Sequence, residues 1–157
     1  MVEFAFILPA VLLILFGIIT FGLLLNVDQD VTRAAAEGAR AGAVAIPPIA
    51  TPPTETSDLR YQAAMTATEE AVASFRDGGC GAGGTTCAVD IHNCSEAPAL
   101  FSMDVGAYYD DGIQDCVSVR VVHDNVNHPI GPPIPFANDV LPDRLISTSV
   151  ARLNEAN

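Results

Sequence analysis

The chain has 157 residues with seven Arg, no Lys and nineteen Asp plus Glu, and its net charge is −12. It has no basic run that would neutralise a phosphate backbone, so nucleic acid and anionic lipid headgroups are poor partners. The carboxylates are scattered along the chain, which is typical of a solvated surface. About 130 residues remain after the first apolar segment, enough for one modest domain.

The segment from Phe4 to Leu25 contains no charged residue and is almost wholly apolar. As a helix its 22 residues would span about 33 Å, which is enough to cross the hydrocarbon core of a bilayer, about 30 Å thick. It is longer than the apolar region of a cleaved signal peptide, which has about 7 to 15 residues. A helix that is apolar all round needs lipid or a shell of other apolar helices. The segment therefore predicts either a membrane span or the core of a helical polymer.

Five residues in or beside this segment are candidates for subunit assembly: Glu3, Phe4, Pro9, Gly17 and Gly22. Glu3 is the one charge at its head, and it either reaches the membrane interface or pairs with a counter-charge inside an apolar assembly. Pro9 cannot donate a backbone hydrogen bond to the preceding turn, which predicts a local kink or loosening. Gly17 and Gly22 allow close approach of another helix, although their spacing is not that of a GxxxG motif.

The helical pattern continues past the apolar segment without a proline until Pro47. We therefore predict one helix from about Glu3 to about Ala45, about 60 Å long. Its second half has a small-residue face made of Val27, Val31, Ala34 or Ala35, Gly38, Ala41 or Gly42, and Ala45. The predicted organisation is a long helix in residues 1–46, a Pro-rich linker in 47–57 and an extracellular helix-plus-sheet domain in 58–157. Within the long helix, residues 1–26 would be the transmembrane or filament-core part and 27–46 the amphipathic part.

The rest of the chain predicts one more helix and three strands. The helix runs from about Asp58 to about Phe75, with Thr56 or Ser57 as its N-cap. Alternating apolar residues predict a half-buried strand at 86–92 and further strands at 116–123 and 144–153. An irregular Pro-rich connection precedes the last strand. The predicted fold class is α+β, with a small antiparallel sheet and two disulfides.

All four cysteines lie between Cys80 and Cys116. An even number in a Gly-rich region indicates two disulfides and an oxidising compartment, and the spacings lack the C-x2-C pair of a zinc site. The favoured pairing is Cys80 with Cys87, which closes a small loop, and Cys94 with Cys116, which joins the end of one strand to the start of the next. Together with the apolar segment, the disulfides place the downstream part outside the cytoplasm.

Metal ligands and catalytic groups are weakly represented. Asp110, Asp111 and Asp115 offer oxygen ligands for Ca²⁺, but their spacing differs from an EF-hand loop and a turn is favoured. The chain has three histidines, His92, His123 and His128. Histidines without a metal are far commoner than metal ligands, and no hydrolase or metalloprotease motif is present. We therefore expect neither an enzyme nor a cofactor.

The start MVEFAFILPAVLLILFGIITFG, followed by TRAAAEGARAGAV, closely resembles the TadE-like pilins of the tight-adherence (Flp/Tad, type IVc) pilus system. The tail, with CVSVRVV and LISTSVARL, is similar to the C-terminal half of that family. The resemblance implies a type IV pilin-like fold. It also implies a pilin or minor pilin that polymerises through its N-terminal helix into an extracellular pilus used for adhesion or surface attachment. A subunit of this kind would wait in the inner (cytoplasmic) membrane before assembly.

The resemblance also implies partners and roles. The partners are copies of the same chain, other pilins, a prepilin peptidase that removes a short basic leader, and an ATPase-driven assembly platform. Nothing basic precedes Phe4, so we expect the orienting basic residues on such a leader. Glu3 corresponds by motif to the pilin glutamate that pairs with a neighbour's N-terminal amine. Pilins usually carry this glutamate two positions later, which is a departure from the family pattern.

A second interpretation has a different functional class. The apolar helix would be a permanent single membrane span, and the disulfide-bonded part would be an extracytoplasmic binding domain for calcium or a surface ligand. The two interpretations differ in whether the apolar helix ever leaves the membrane.

Overall fold

The computed structural model describes residues 2–45, 58–74, 79–94, 115–130 and 141–153. Along the chain come helix α1 (Val2–Val44), helix α2 (Leu59–Ala73), and strands β1 (Thr85–His92), β2 (Cys116–Asp124) and β3 (Arg144–Arg152). The strands form one antiparallel sheet in the order β1-β2-β3. The predicted α+β class, with a long apolar helix, a second helix, a small sheet and two disulfides, is confirmed.

Helix α1 is continuous for 43 residues, about 65 Å, and Pro9 lies inside it. The loosening predicted near Pro9 therefore does not interrupt the helix. The second half of α1 buries Val31, Ala34, Ala35 and Ala39, each no more than 1% exposed. Val31, Ala34 and Ala35 belong to the predicted small-residue face, and Ala39 adds to it. All four residues form part of the hydrophobic core.

Glycines in α1 let α2 and the sheet come close. A Cβ atom added to Gly42 would lie 3.0 Å from the Cβ of Ala64 in α2, 3.0 Å from the Cγ1 of Val117 in β2 and 3.2 Å from the carbonyl oxygen of Arg60. Distances this short are tighter than ordinary van der Waals contact, and interiors are close-packed. The absence of a side chain at Gly42 is thus what sets the distance between the three elements.

The N-cap of α2 is Asp58, and the prediction of Thr56 or Ser57 was wrong. An Asp58 carboxylate oxygen, Oδ1, accepts the backbone N–H of Arg60 at 2.9 Å, and the other, Oδ2, accepts the Arg60 guanidinium N–H at 2.8 Å. Asp58 is fully buried and Arg60 is 8% exposed. Asp58 is a better N-cap than a hydroxyl residue here, because its carboxylate both caps the helix and pairs with the buried Arg60 guanidinium.

The sheet has valines at its centre. In the register of β1 and β2, Val89 lies opposite Val119 and Ile91 lies opposite Val117, and all four side chains are fully buried. This inner face of the sheet packs against the helices. The prediction of a half-buried β1 was wrong, because all but one of its residues are buried.

Strand β3 buries Leu145 but places its other large aliphatic side chains, Ile146 and Val150, outward. The inner face of β3 has small residues, Ser147, Ser149 and Ala151, where α1 packs against the strand. Ile146 and Val150 share the opposite face, as the alternation predicts, but they are 50% and 52% exposed. We call this opposite side the outer face of the sheet. Serine and alanine on the inner face allow the backbone of α1 to lie close to the strand.

The disulfides have the pairing favoured from the sequence, Cys80–Cys87 and Cys94–Cys116. Asp115 stands beside the second of them. Its Oδ1 accepts the backbone N–H of Cys94 at 2.7 Å, and its carbonyl oxygen accepts the N–H of Leu153 at 2.7 Å. The end of β1, the start of β2 and the end of β3 are thereby held together at one corner of the sheet.

Candidate assembly surface

The first half of α1 exposes its large apolar side chains on every side. Phe4 is 70% exposed and Leu13 is 72% exposed, in a segment that contains no charged residue. The exposed set is Phe4, Ile7, Leu8, Val11, Leu12, Leu13, Ile14, Leu15, Phe16, Ile18, Ile19, Phe21, Leu23 and Leu25. We call this set the apolar surface of α1. Contiguous exposed apolar surface on this scale marks a membrane or protein contact.

Burial within α1 begins on one side of the helix. Thr20 is 6% exposed and Leu24 is 9% exposed. Their spacing of four residues places them on the same side of the helix as Val31 and the other buried residues of α1. Burial on this side of α1 therefore begins at Thr20, before the part of the helix that belongs to the hydrophobic core. In the described part of the chain, α1 is the helix whose length and apolar composition would allow it to cross a membrane.

The candidate assembly residues fall on the apolar surface where their side chains are described. Phe4 and Pro9 are exposed. A Cβ atom added to Gly17 or Gly22 would have no described neighbour within 4 Å. The Glu3 side chain lies outside the described residues. No described residue of the subunit requires glycine at position 17 or 22, so a need for a small residue there would come from a neighbouring helix or from lipid.

The metal candidates are engaged in other contacts where they are described. His123 is buried, with its Nδ1 3.0 Å from the Thr85 hydroxyl and its Nε2 3.2 Å from the carbonyl oxygen of His128. Both ring nitrogens of His123 thus have hydrogen-bond partners, which leaves none for a metal ion. Asp115 accepts the N–H of Cys94, while Asp110 and Asp111 lie outside the described residues.

Ligand atoms of Cys94, Asp115 and Cys116 lie within 4.8 Å of one another. Metal ions bind cysteine through its thiolate. Here the two sulfurs are joined in a disulfide, so neither is available as a thiolate. In the oxidised chain this group is a structural corner of the sheet.

Sequence reasoning missed a polar cluster on the outer face of β1 and β2. His92 Nδ1 lies 3.5 Å from Asp90 Oδ2, and His92 Nε2 lies 3.4 Å from the Ser118 hydroxyl. A carboxylate, an imidazole and a hydroxyl in this order occur in serine hydrolases. However, none of the three side chains is more than 5% exposed. A nucleophile needs access to substrate, so we interpret the cluster as a cross-strand contact that only the strand register reveals.

Comparison with known proteins gives one family match. Residues 1–40 match the model of the family described as TadE-like protein. The match covers the apolar half of α1 and most of its small-residue face, and it confirms the resemblance predicted from the start of the sequence. It does not extend to residues 116–153. Neither the curated proteins nor the solved structures contain a match to the chain.

Proposed function

We propose that this chain is a structural subunit of the Tad pilus, because its residues 1–40 match the model of the TadE-like family. The apolar surface of α1 is inserted in the membrane first and then packs against copies of itself in a helical filament. The sheet, α2 and both disulfides face the outside. In this role the chain is a pilin or minor pilin that contributes to adhesion or surface attachment.

The observation that carries the proposal is the contrast between the two halves of α1. One half exposes apolar side chains in all directions, and the other half is part of the core of a disulfide-bonded body. A permanent anchor needs only the first property. A filament subunit needs both, because a rigid connection must fix the position of the body relative to the polymer core.

Assembly in this proposal involves further partners. A prepilin peptidase removes a basic leader, an assembly platform extracts the subunit from the membrane, and other pilins share the filament. Glu3 pairs with the N-terminal amine of a neighbouring subunit, because a charge taken into an apolar core must be neutralised.

The first experiment locates the chain. Surface material is sheared from cells and examined by electron microscopy with an antibody against the sheet domain. We expect labelled filaments in the sheared fraction. If the chain stays wholly with the membrane fraction, the filament role is wrong and the alternative, a single-span anchor with a binding domain for calcium or a surface ligand, is preferred.

The second experiment tests Glu3. Glu3→Ala and Glu3→Gln should lower the filament yield at least about tenfold, because each leaves a neighbour's amine without a counter-charge in an apolar core. Membrane insertion should be unchanged. Asp28→Asn is the matched control, since Asp28 is an exposed carboxylate on α1 beyond the apolar surface. Normal yield from both Glu3 variants would remove the pairing role while leaving filament formation itself intact.

A further inference from the structure

Two loops meet at one end of the sheet. The glycine loop (residues 79–84) leads into β1, and the 125–130 turn follows β2. The backbone N–H of Asp124 donates to the carbonyl oxygen of Gly84 at 2.8 Å, and a Cβ atom added to Gly84 would overlap the ring of His128. The two loops therefore form one surface, which we call the loop end of the body.

The turn of the loop end satisfies polar groups of its backbone internally. Oδ1 of Asp124 accepts the backbone N–H groups of Val126 at 3.0 Å and of Asn127 at 3.3 Å. Oδ1 of Asn125 accepts the N–H of Ile130 at 3.1 Å. The side chain of Asn127 also donates to Asp124, which lowers the pKa of that carboxyl, so it stays ionised and bound to the turn at neutral pH.

The loop end has an uncharged centre in a strongly acidic chain. Neither loop contains Asp, Glu, Lys or Arg, although the net charge of the chain is −12. Val126 is 63% exposed in the turn, and Pro129 is exposed beside it. The charged residues described around this centre are mainly carboxylates: Glu69, Glu70, Asp124, Asp143 and Arg144.

Contacts between the helices show in which direction α2 runs along α1. A Cβ atom added to Gly42 would lie 3.0 Å from the Cβ of Ala64, and one added to Gly38 would overlap the hydroxyl of Thr68. A step of four residues back along α1 is thus matched by a step of four residues forward along α2. Helix α2 therefore ends beside the part of α1 that is nearer to the apolar surface.

The loop end lies in this same direction. The groove between the helices is lined by Asp30 of α1 and by Glu70 and Ser74 at the end of α2. Glu70 also lines a second pocket, together with Cys80 of the glycine loop. Asp30 is five residues, about 8 Å along the helix, from Leu25, where the apolar surface of α1 ends. The loop end is therefore on the membrane side of the body.

Helix α1 is also covered on one side close to this level. Thr20 is 6% exposed and Leu24 is 9% exposed, whereas Phe21 is 58% and Leu23 is 41% exposed. Atoms of the same chain thus cover the core side of α1 within the apolar segment, while its other sides are open. Because α1 is continuous, the body cannot move away from a bilayer into which the apolar surface is inserted.

From this placement we infer that the loop end rests on the headgroup region of a bilayer of zwitterionic lipids while the subunit is in the membrane. The uncharged centre, with Val126, enters the headgroup layer, and the carboxylates around it face the ammonium groups of the lipids. Anionic headgroups are disfavoured there by the same carboxylates. The inference rests on the proposed function, in which the apolar surface is first inserted in the membrane, and it adds the contact that sets how the inserted subunit is tilted.

The test uses the full chain as a single copy in nanodiscs of phosphatidylcholine, with labelled methyl groups observed by nuclear magnetic resonance. A nitroxide on the lipid headgroup attenuates the signals of methyl groups close to it. The Val126 signals should lose intensity at least about twofold, because apolar side chains at an interface enter the headgroup layer. The Val44 signals should be unchanged, since Val44 is 78% exposed at the other end of α1. Mixing in phosphatidylglycerol should weaken the attenuation at Val126.

Val126→Asp is the variant that tests the contact. In the wild type the Ile130 methyl signals should also be attenuated, and in Val126→Asp this attenuation should disappear, because a carboxylate is costly to place in the apolar part of an interface. Val44→Asp is the matched control, since it changes an exposed valine and the net charge equally, and it should leave Ile130 attenuated. Unshifted signals of the buried Ile91 and Val119 show that both variants are folded.

Equal attenuation at Val126 and Val44, or none at either, overturns the contact, as does attenuation of Ile130 that persists in Val126→Asp. If the Val126 signals respond only when a second copy shares the nanodisc, the loop end binds a neighbouring subunit and the lipid inference is wrong. A nitroxide in the acyl chains reports separately on Leu13, which is 72% exposed on the apolar surface. Absence of attenuation at Leu13 contradicts the membrane insertion in the proposed function instead.

Discussion

Glycines in α1 serve two different purposes that depend only on their position along one helix. At Gly42 an added Cβ would meet side-chain and backbone atoms of α2 and β2, whereas at Gly22 it would meet no described atom within 4 Å. The sequence shows both as glycines in an apolar helix, and their environments differ because the folded body covers only the second half. The same substitution therefore has opposite effects at the two positions.

Gly42→Ala should lower the free energy of unfolding by about 1–3 kcal/mol, because the added methyl overpacks a site bounded by Ala64 and Val117. Gly22→Ala is the matched control and should leave the body unchanged or slightly more stable, since alanine is the better helix former by about 1 kcal/mol. Thermal unfolding of the detergent-solubilised full chain, followed by circular dichroism, measures both. Equal stabilisation by the two substitutions would contradict the close packing at Gly42.

At the scale of elements, α2 depends on a buried ion pair at its first turn. Asp58 caps the helix, and its side chain is fully buried against an Arg60 side chain that is 10% exposed. Two charges removed from water require each other, because an unpaired buried charge costs several kcal/mol. The carbonyl of Arg60 also faces Gly42, so the pair lies where α2 begins to pack on α1.

Asp58→Ala should lower the free energy of unfolding by about 3–5 kcal/mol, since the Arg60 guanidinium stays buried but loses the Asp58 carboxylate with which it pairs. The double variant Asp58→Ala/Arg60→Met should recover a large part of this loss, because no charge then remains buried. Arg33→Ala, which removes the cation of an exposed pair with a 76% exposed side chain, serves as control and should have no measurable effect. Denaturant unfolding measures all three. An Asp58→Ala loss no larger than that of the control would show that the pair contributes nothing.

At the scale of the whole molecule, α1 belongs to two environments at once. Its first half has no core of its own, and its second half contributes Val31, Ala34, Ala35 and Ala39 to the same core as the sheet. The folded body is therefore not residues 58–153 alone. Any displacement of the apolar surface is transmitted directly to the body, because the helix between them is continuous.

A truncated chain tests this organisation. Residues 26–157 should give a soluble, disulfide-bonded body, since they omit the whole apolar surface of α1 and keep the part of α1 that belongs to the hydrophobic core, from Val27 onward. Residues 47–157 should fail to fold, because their sheet and α2 lose the alanine-rich face that covers them. Size-exclusion chromatography and circular dichroism distinguish the two products. A stable fold in residues 47–157 would mean that the second half of α1 is dispensable for the body.

The sequence by itself determined the elements and the chemical character of their surfaces. A run of 22 uncharged residues from Phe4 to Leu25, a helical stripe of small residues after it and alternating valines in the strands are local patterns that record burial or contact with an apolar phase. The family match lies in this N-terminal part. The cysteine pairing could also be predicted, since Cys80 and Cys87 flank a small Gly-rich loop, and Cys94 and Cys116 follow and begin two successive predicted strands.

Only the tertiary structure decided how those surfaces are used. The buried Asp58–Arg60 pair, the cluster of Asp90, His92 and Ser118, and the exposure of Ile146 and Val150 depend on which faces the sheet and helices turn toward each other. The alternation of apolar and polar residues along a strand predicts which side chains share a face, but it does not predict which face packs against the core. In β3 the small residues Ser147, Ser149 and Ala151 determine the face that α1 packs against, because they allow its backbone to come close. Ile146 and Val150 and the arginines beside them are therefore on the opposite face.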